Sequence, residues 1–172
     1  DLGFSYIISS GSEMITTVAD YMQFVLADPS TRVIGLFLET VRDPETFKQA
    51  LAEAVERDVP VVVLKTGRTE RSAELARAHS GALAGRDAAY DAIFSHYGVS
   101  RCRSIDELMD TLELFSTGIR PRTSKLAALH DSGGQRALVV DLAEEARVEF
   151  AAINGETAAR LADVLEPGLD PI

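Results

Sequence analysis

The chain contains no tryptophan and a single cysteine, Cys102, in 172 residues. One thiol excludes an intrachain disulfide and fits a reducing compartment, so the cytoplasm is the expected location. That cysteine and three scattered histidines, His79, His96 and His130, have no zinc-ligand spacing, and no metal site is expected. Also missing are Gly-x-x-x-x-Gly-Lys-Ser/Thr, Gly-x-Gly-x-x-Gly and Gly-x-Ser-x-Gly. Their absence excludes a phosphate-binding P-loop, a dinucleotide fingerprint and a serine-hydrolase elbow. No apolar run approaches the roughly 20 residues of a membrane-spanning helix. Basic residues are the minority, 17 against 27 acidic ones for a net charge of −10. Extended nucleic-acid or anionic-membrane surfaces need clustered Lys and Arg, so neither partner is expected and any anion must be held locally. The chain opens at Asp1 without a signal-peptide pattern and reads as a piece of something longer.

What is present is globular: 46% apolar and 26% charged residues, enough for one packed domain with part of another. Phe4 to Ser9, Val33 to Leu38 and Val59 to Leu64 are short apolar runs rich in β-branched residues, the signature of parallel strands buried on both faces. Between them lie stripes at helical spacing: Met14, Ile15, Val18, Tyr21, Met22 and Val25, then Phe47, Leu51, Ala54 and Val55. Tyr90, Ile93, Phe94 and Tyr97 form a further helix ended by Gly98, and Val99 to Arg103 a short strand. Ser104 and Glu107 make a capping box for a helix through Phe115. The alternation predicts an α/β fold with an open parallel sheet.

Gly118 to Ser124 reads as a linker, rich in Gly, Pro and charge. A second unit follows. Lys125 to Leu129 reads as a strand, Ser132-Gly133-Gly134 as a tight turn, Gln135 to Arg147 as a helix, and Thr157 to Leu165 as another. That is too little to close a core alone. The expected division is therefore a domain over 1–117, a linker over 118–124, and the truncated start of a second α/β domain over 125–172.

The candidate chemistry centres on His79. It is flanked by Ala78, Ser80, Gly81 and Ala82, which allow a ligand close approach, and a neutral imidazole is a nucleophile near pH 7. Glu39 stands where the second apolar run ends, the edge at which open α/β sheets place ligands. It can orient a histidine ring by accepting its second N–H, or be a solvated acid at a strand end. Lys65 and Arg68 can neutralise a phosphate or be solvated charges. Ser132-Gly133-Gly134 precedes a helix whose free N–H groups and dipole favour an anion, although a Gly pair after a strand is more often just a turn. Ser10 or Ser12 reads as an N-cap. His96, near a helix C-terminus, needs no further role.

Gly3 to Glu13, Asp28 to Ile34, the Glu39 strand end, Pro60 to Arg68 and Ala78-His79-Ser80-Gly81-Ala82-Leu83-Ala84-Gly85 together resemble the ADP-forming acyl-CoA synthetases, relatives of succinyl-CoA synthetase. The likeness covers nearly the whole chain, with 1–115 as the flavodoxin-like second domain, short of its first strand and helix, and 126–172 as the start of the next. It implies an acid–thiol ligase in which His79 passes a phosphoryl group between an acyl phosphate and ADP while Glu39 holds its ring. Gly81, Ser132, Gly133 and Gly134 are then the phosphate-binding set, with the Ser132 turn as one of two helix N-termini that hold the phosphohistidine. The small-residue loop would carry His79 between two sites. CoA, ATP or ADP and Mg2+ are the implied cofactors, bound mainly on a CoA-binding domain and an ATP-grasp domain outside this chain. A small carboxylic acid is the implied substrate and a homo-oligomer is compatible with the family. The alternative is a non-catalytic, acyl-CoA-sensing or regulatory module such as those fused to protein acetyltransferases.

Overall fold

The computed structural model describes residues 3–72, 74, 87–121 and 123–166, and they divide into two compact units, Asp1–Ile119 and Arg120–Ile172. In the first, the described residues form a three-stranded parallel sheet of β1 (Ile34–Leu38), β2 (Val61–Lys65) and β3 (Ser100–Cys102), in that spatial order. Leu38 pairs with Lys65 at the carboxyl edge and Leu64 with Cys102.

Helices α1 (Val18–Leu26), α2 (Pro44–Glu56) and α3 (Asp87–His96) cover one face, and α4 (Ile105–Ser116) the other. The larger core sets Ile34, Leu36, Leu38, Val61 and Val63 against Met22, Phe47, Leu51 and Phe94. The smaller joins Val62, Leu64 and Cys102 to Leu108 and Leu112. Gly35 matters here: a Cβ at that position would lie 2.8 Å from Leu112 Cδ1, so the missing side chain lets α4 reach across to β1.

Local chemistry starts each helix. Asp43 accepts from the Thr46 N–H at 3.1 Å with Pro44 in the first turn of α2, where a missing N–H costs nothing. Ser104 accepts from the Glu107 N–H at 3.1 Å, while the Glu107 carboxylate takes the Arg103 N–H at 2.7 Å, one residue further back than a capping box would have it.

Three expectations need correction. Phe4 to Ser9 is not a strand in the structure, because no described strand pairs with it and an unpaired strand has nowhere to place its backbone bonds. Tyr6 anchors it instead, edge-on to the Phe24 ring at 5.4 Å and donating to Asp28 at 2.7 Å. The first helix starts after Thr17 rather than at Ser10 or Ser12. Gly11 and Glu13 have φ of 61° and 50°, which break a helix, and the Thr17 N–H finds the Asp20 carboxylate at 2.7 Å. Last, β1 is buried on one face only, with Phe37 59% exposed, because on the other face α4 packs on β2 and β3 and meets β1 at Gly35.

In the second unit, α5 (Gly133–Ala146) and α6 (Gly155–Ala162) are capped by Ser132 and Asn154. The expected strand at Lys125 to Leu129 reduces to a single parallel bridge of Leu126 with Phe150, made by two 2.8 Å backbone bonds. Ala143 is the only buried apolar residue among those described in this unit, so it has little core of its own.

Candidate functional site

The carboxyl edge of the parallel sheet is the place to build from. Glu39 follows β1 directly and is half-buried. Its strand end is clamped to β2: the Thr66 N–H donates to the Leu38 carbonyl at 2.9 Å, and the Thr66 hydroxyl to the same oxygen at 3.3 Å. On the other side the Val41 N–H donates to the Tyr90 hydroxyl of α3 at 3.1 Å. The backbone carrying Glu39 is thus tied to both β2 and α3.

Lys65 ends β2 and differs from its expected state. The reading of a solvated or phosphate-facing charge fails, since the side chain is 2% exposed. It shares the strand face of Val61 and Val63, which directs it under α3. Nζ lies 4.6 Å from the centre of the Tyr90 ring and donates to the Thr66 carbonyl. Burial pushes the Lys65 pKa below the usual lysine range; Asp87 pulls it back, Arg101 adds to the fall and Glu39 again opposes it. A hint existed in the sequence: Lys65 continues the alternation of a strand that is apolar throughout. The role of the Tyr90 hydroxyl had no such signal, because Tyr90 reads as one more member of an apolar stripe.

Arg68 is exposed and borders a cleft of about 290 Å³ with Asp91, Arg101, Cys102 and Arg103. Arg101 is committed elsewhere, to Asp87 at 2.6 Å and to Asp91. His96 is exposed in the last turn of α3 and edge-on to Tyr97 at 4.7 Å, so the structure gives it nothing beyond its helix end.

In the second unit, the Ser132 hydroxyl accepts from the Gln135 N–H at 3.5 Å, and Gly133 and Gly134 are the first two residues of α5. A Cβ on Gly133 would meet nothing within 4 Å and one on Gly134 only the Ser132 hydroxyl at 3.7 Å. The helix N-terminus is therefore open, and its amides are available to an anion. Glu39 and this turn belong to separate units. His79 and Gly81 lie outside the described residues. Among the described residues no cluster of three or more His, Cys, Asp or Glu side chains is placed to hold a metal, and no helix is long and apolar enough to cross a membrane.

A parallel sheet with helices packed on both faces defines an open α/β domain. Residues 1–115 match the model of the succinyl-CoA ligase like flavodoxin domain, and the chain belongs to that family. Among similar curated proteins is ADP-forming acetate–CoA ligase I of Archaeoglobus fulgidus, 35% identical over 95% of this chain and 24% of that protein. Another is the alpha subunit of ADP-forming acetate–CoA ligase I of Pyrococcus furiosus, 34% identical over 84% of this chain and 31% of that subunit. Among solved structures, the dinucleotide forming acetyl-coenzyme A synthetase 1 of Ca. Korarchaeum cryptofilum, in complex with phosphate and ADP, superposes with a TM-score of 0.83. It is 25% identical, over 94% of this chain and 35% of that one. The chain spans 24% to 35% of the length of these relatives.

Proposed function

We propose that this chain is the phosphohistidine-bearing part of an ADP-forming acid–thiol ligase that interconverts acyl-CoA, ADP and phosphate with free acid, CoA and ATP. The observation that carries this reading is that proteins named ADP-forming acetate–CoA ligases are similar to it along nearly its full length. The loop Ala78-His79-Ser80-Gly81-Ala82 supplies the nucleophile the reaction needs.

In the proposed reaction a neutral His79 ring nitrogen attacks the phosphorus of an acyl phosphate. A P–N bond forms as the P–O bond to the acyl group breaks, and the carboxylate leaves with the electron pair. A terminal oxygen of ADP then takes the phosphoryl group and the imidazole is restored. Both phosphorylated species are of high energy, so the transfer runs either way and the protein's task is positioning and charge stabilisation. Glu39 accepts the other ring N–H and fixes the tautomer. Gly81 leaves room for the phosphoryl group, and the amides of Gly133 and Gly134, at a helix N-terminus, are of the kind that suits an anion.

The remaining parts, a CoA-binding domain and an ATP-grasp domain that binds nucleotide and Mg2+, are assigned to other segments of the same protein or to a partner subunit. The P. furiosus relative is itself named as an alpha subunit. Among the described residues no cluster of carboxylates is placed to hold Mg2+, which is assigned to the nucleotide-binding segment. The domain division at 118–124, a small carboxylic acid as substrate, a cytoplasmic location and assembly into a homo-oligomer belong to the same proposal.

Incubating the complete protein with acetate, CoA and ATP tests the reaction class. Acetyl-CoA formed with one ADP and one phosphate per turnover is expected. Formation of AMP and pyrophosphate would contradict the reading, and binding of acyl-CoA with no turnover of this or any other short-chain acid would favour the sensing module.

A further inference from the structure

A lysine with 2% of its side chain exposed is costly to keep charged, and such groups are retained where they are held by specific partners. Among the described residues, the two groups that Lys65 Nζ touches both lead back to the strand end that carries Glu39. Its Nζ donates to the carbonyl of Thr66, whose N–H and hydroxyl both bind the Leu38 carbonyl next to Glu39. Its ammonium sits under the Tyr90 ring, whose hydroxyl takes the Val41 N–H on the other side of Glu39. Leu38 and Lys65 are register partners, which sets the Lys65 backbone beside the residue preceding Glu39.

We propose that Lys65 is a positioning residue for Glu39: its buried ammonium, between the Tyr90 ring and the Thr66 carbonyl, braces the two anchors that fix the Glu39 backbone. This rests on the role given to Glu39 above. It adds a group that touches neither substrate nor nucleotide, yet sets where the orienting acid stands. Among the described residues the charged groups bearing on the ammonium are Asp87 of α3, Arg101 of β3 and Glu39 itself, and the two acids only partly offset the burial that, with Arg101, lowers its pKa.

The test is a double-mutant cycle in the complete protein. Lys65→Met keeps the volume and removes the charge, Tyr90→Phe removes only the hydroxyl, and Glu39→Gln removes the acid. Lys65→Met is expected to lower kcat on the order of 100-fold, the cost of a small misplacement, with KM for acid and ATP unchanged. Tyr90→Phe is expected to lose less in the same direction. Either loss should shrink or vanish in the Glu39→Gln background, because groups acting through one another are not additive. Lys65→Arg should retain more activity than Lys65→Met and extend the alkaline limb of the pH–rate profile to higher pH.

Wild-type kcat in Lys65→Met, or losses that multiply fully with Glu39→Gln, would overturn the inference while leaving the proposed function standing. If Lys65→Met does not fold, the Tyr90→Phe and Glu39→Gln cycle decides by the same criterion. Glu39→Gln turning over at the wild-type rate would overturn both the role of Glu39 and this inference.

Discussion

At the residue scale, Lys65 sets one of the sharper expectations. Its pKa is lower folded than unfolded because burial penalises the charged form. Between the folded value and the ordinary lysine value the unfolded chain therefore binds more protons, so stability rises with pH across that window. Denaturant titrations of the wild type from neutral to strongly alkaline pH should show this rise, and Lys65→Met should lack it. The same window is where phosphotransfer should fade, so activity and stability run in opposite directions there. A wild type whose stability does not respond to Lys65→Met at any alkaline pH would contradict the burial argument. Glu39 and the Ser132 turn were legible in the sequence as positions, since a polar residue after an apolar strand and a Gly pair before a helix have few readings. The burial of Lys65 was less so, because a terminal lysine on a strand is solvated or covered according to which helix lies above it.

At the element scale, the parallel core was readable wherever apolar runs end in turn signals: β1 and β3 fall inside the expected runs, β2 ends one residue beyond its run at Lys65, and Ser104 does start α4. The run Phe4 to Ser9 has the same composition as a true strand, and composition is silent on whether a neighbour exists to pair with. The helix start at Thr17 was missed because the stripe from Met14 continues upstream, whereas Gly11 and Glu13 carry left-handed backbone that no stripe reveals. Gly35 was not singled out at all, although it sets the approach of α4. Gly35→Ala should destabilise the domain by about 1–3 kcal/mol, the usual range for overpacking, since its Cβ would lie 2.8 Å from the buried Leu112. Urea unfolding of Gly35→Ala and of the relieving pair Gly35→Ala with Leu112→Ala checks this. The pair should cost less than the sum of its parts, and additive losses would place the strain elsewhere.

At the scale of the whole molecule, the proposed reaction asks a negatively charged chain to handle phosphate, and such a chain cannot rely on its overall field. The proposal therefore turns on local devices such as the helix N-terminus at Gly133 and Gly134, where an added Cβ would meet nothing closer than 3.7 Å. The chain covers 24% of the A. fulgidus relative, and the second unit exposes Leu129 and Leu138 by 87% and 57%, so most of the proposed chemistry depends on other segments. The acid specificity accordingly has no signature in this sequence. The claim on which the account turns is a phosphoryl group carried on His79. Brief incubation of the complete protein with ATP labelled at the terminal phosphate, followed by acid and alkaline washes, measures it directly. The account predicts an acid-labile, alkali-stable label on the peptide containing His79 that is absent from His79→Asn, together with loss of ligase turnover in that variant. A His79→Asn protein that is still labelled and still makes acyl-CoA at the wild-type rate would contradict it.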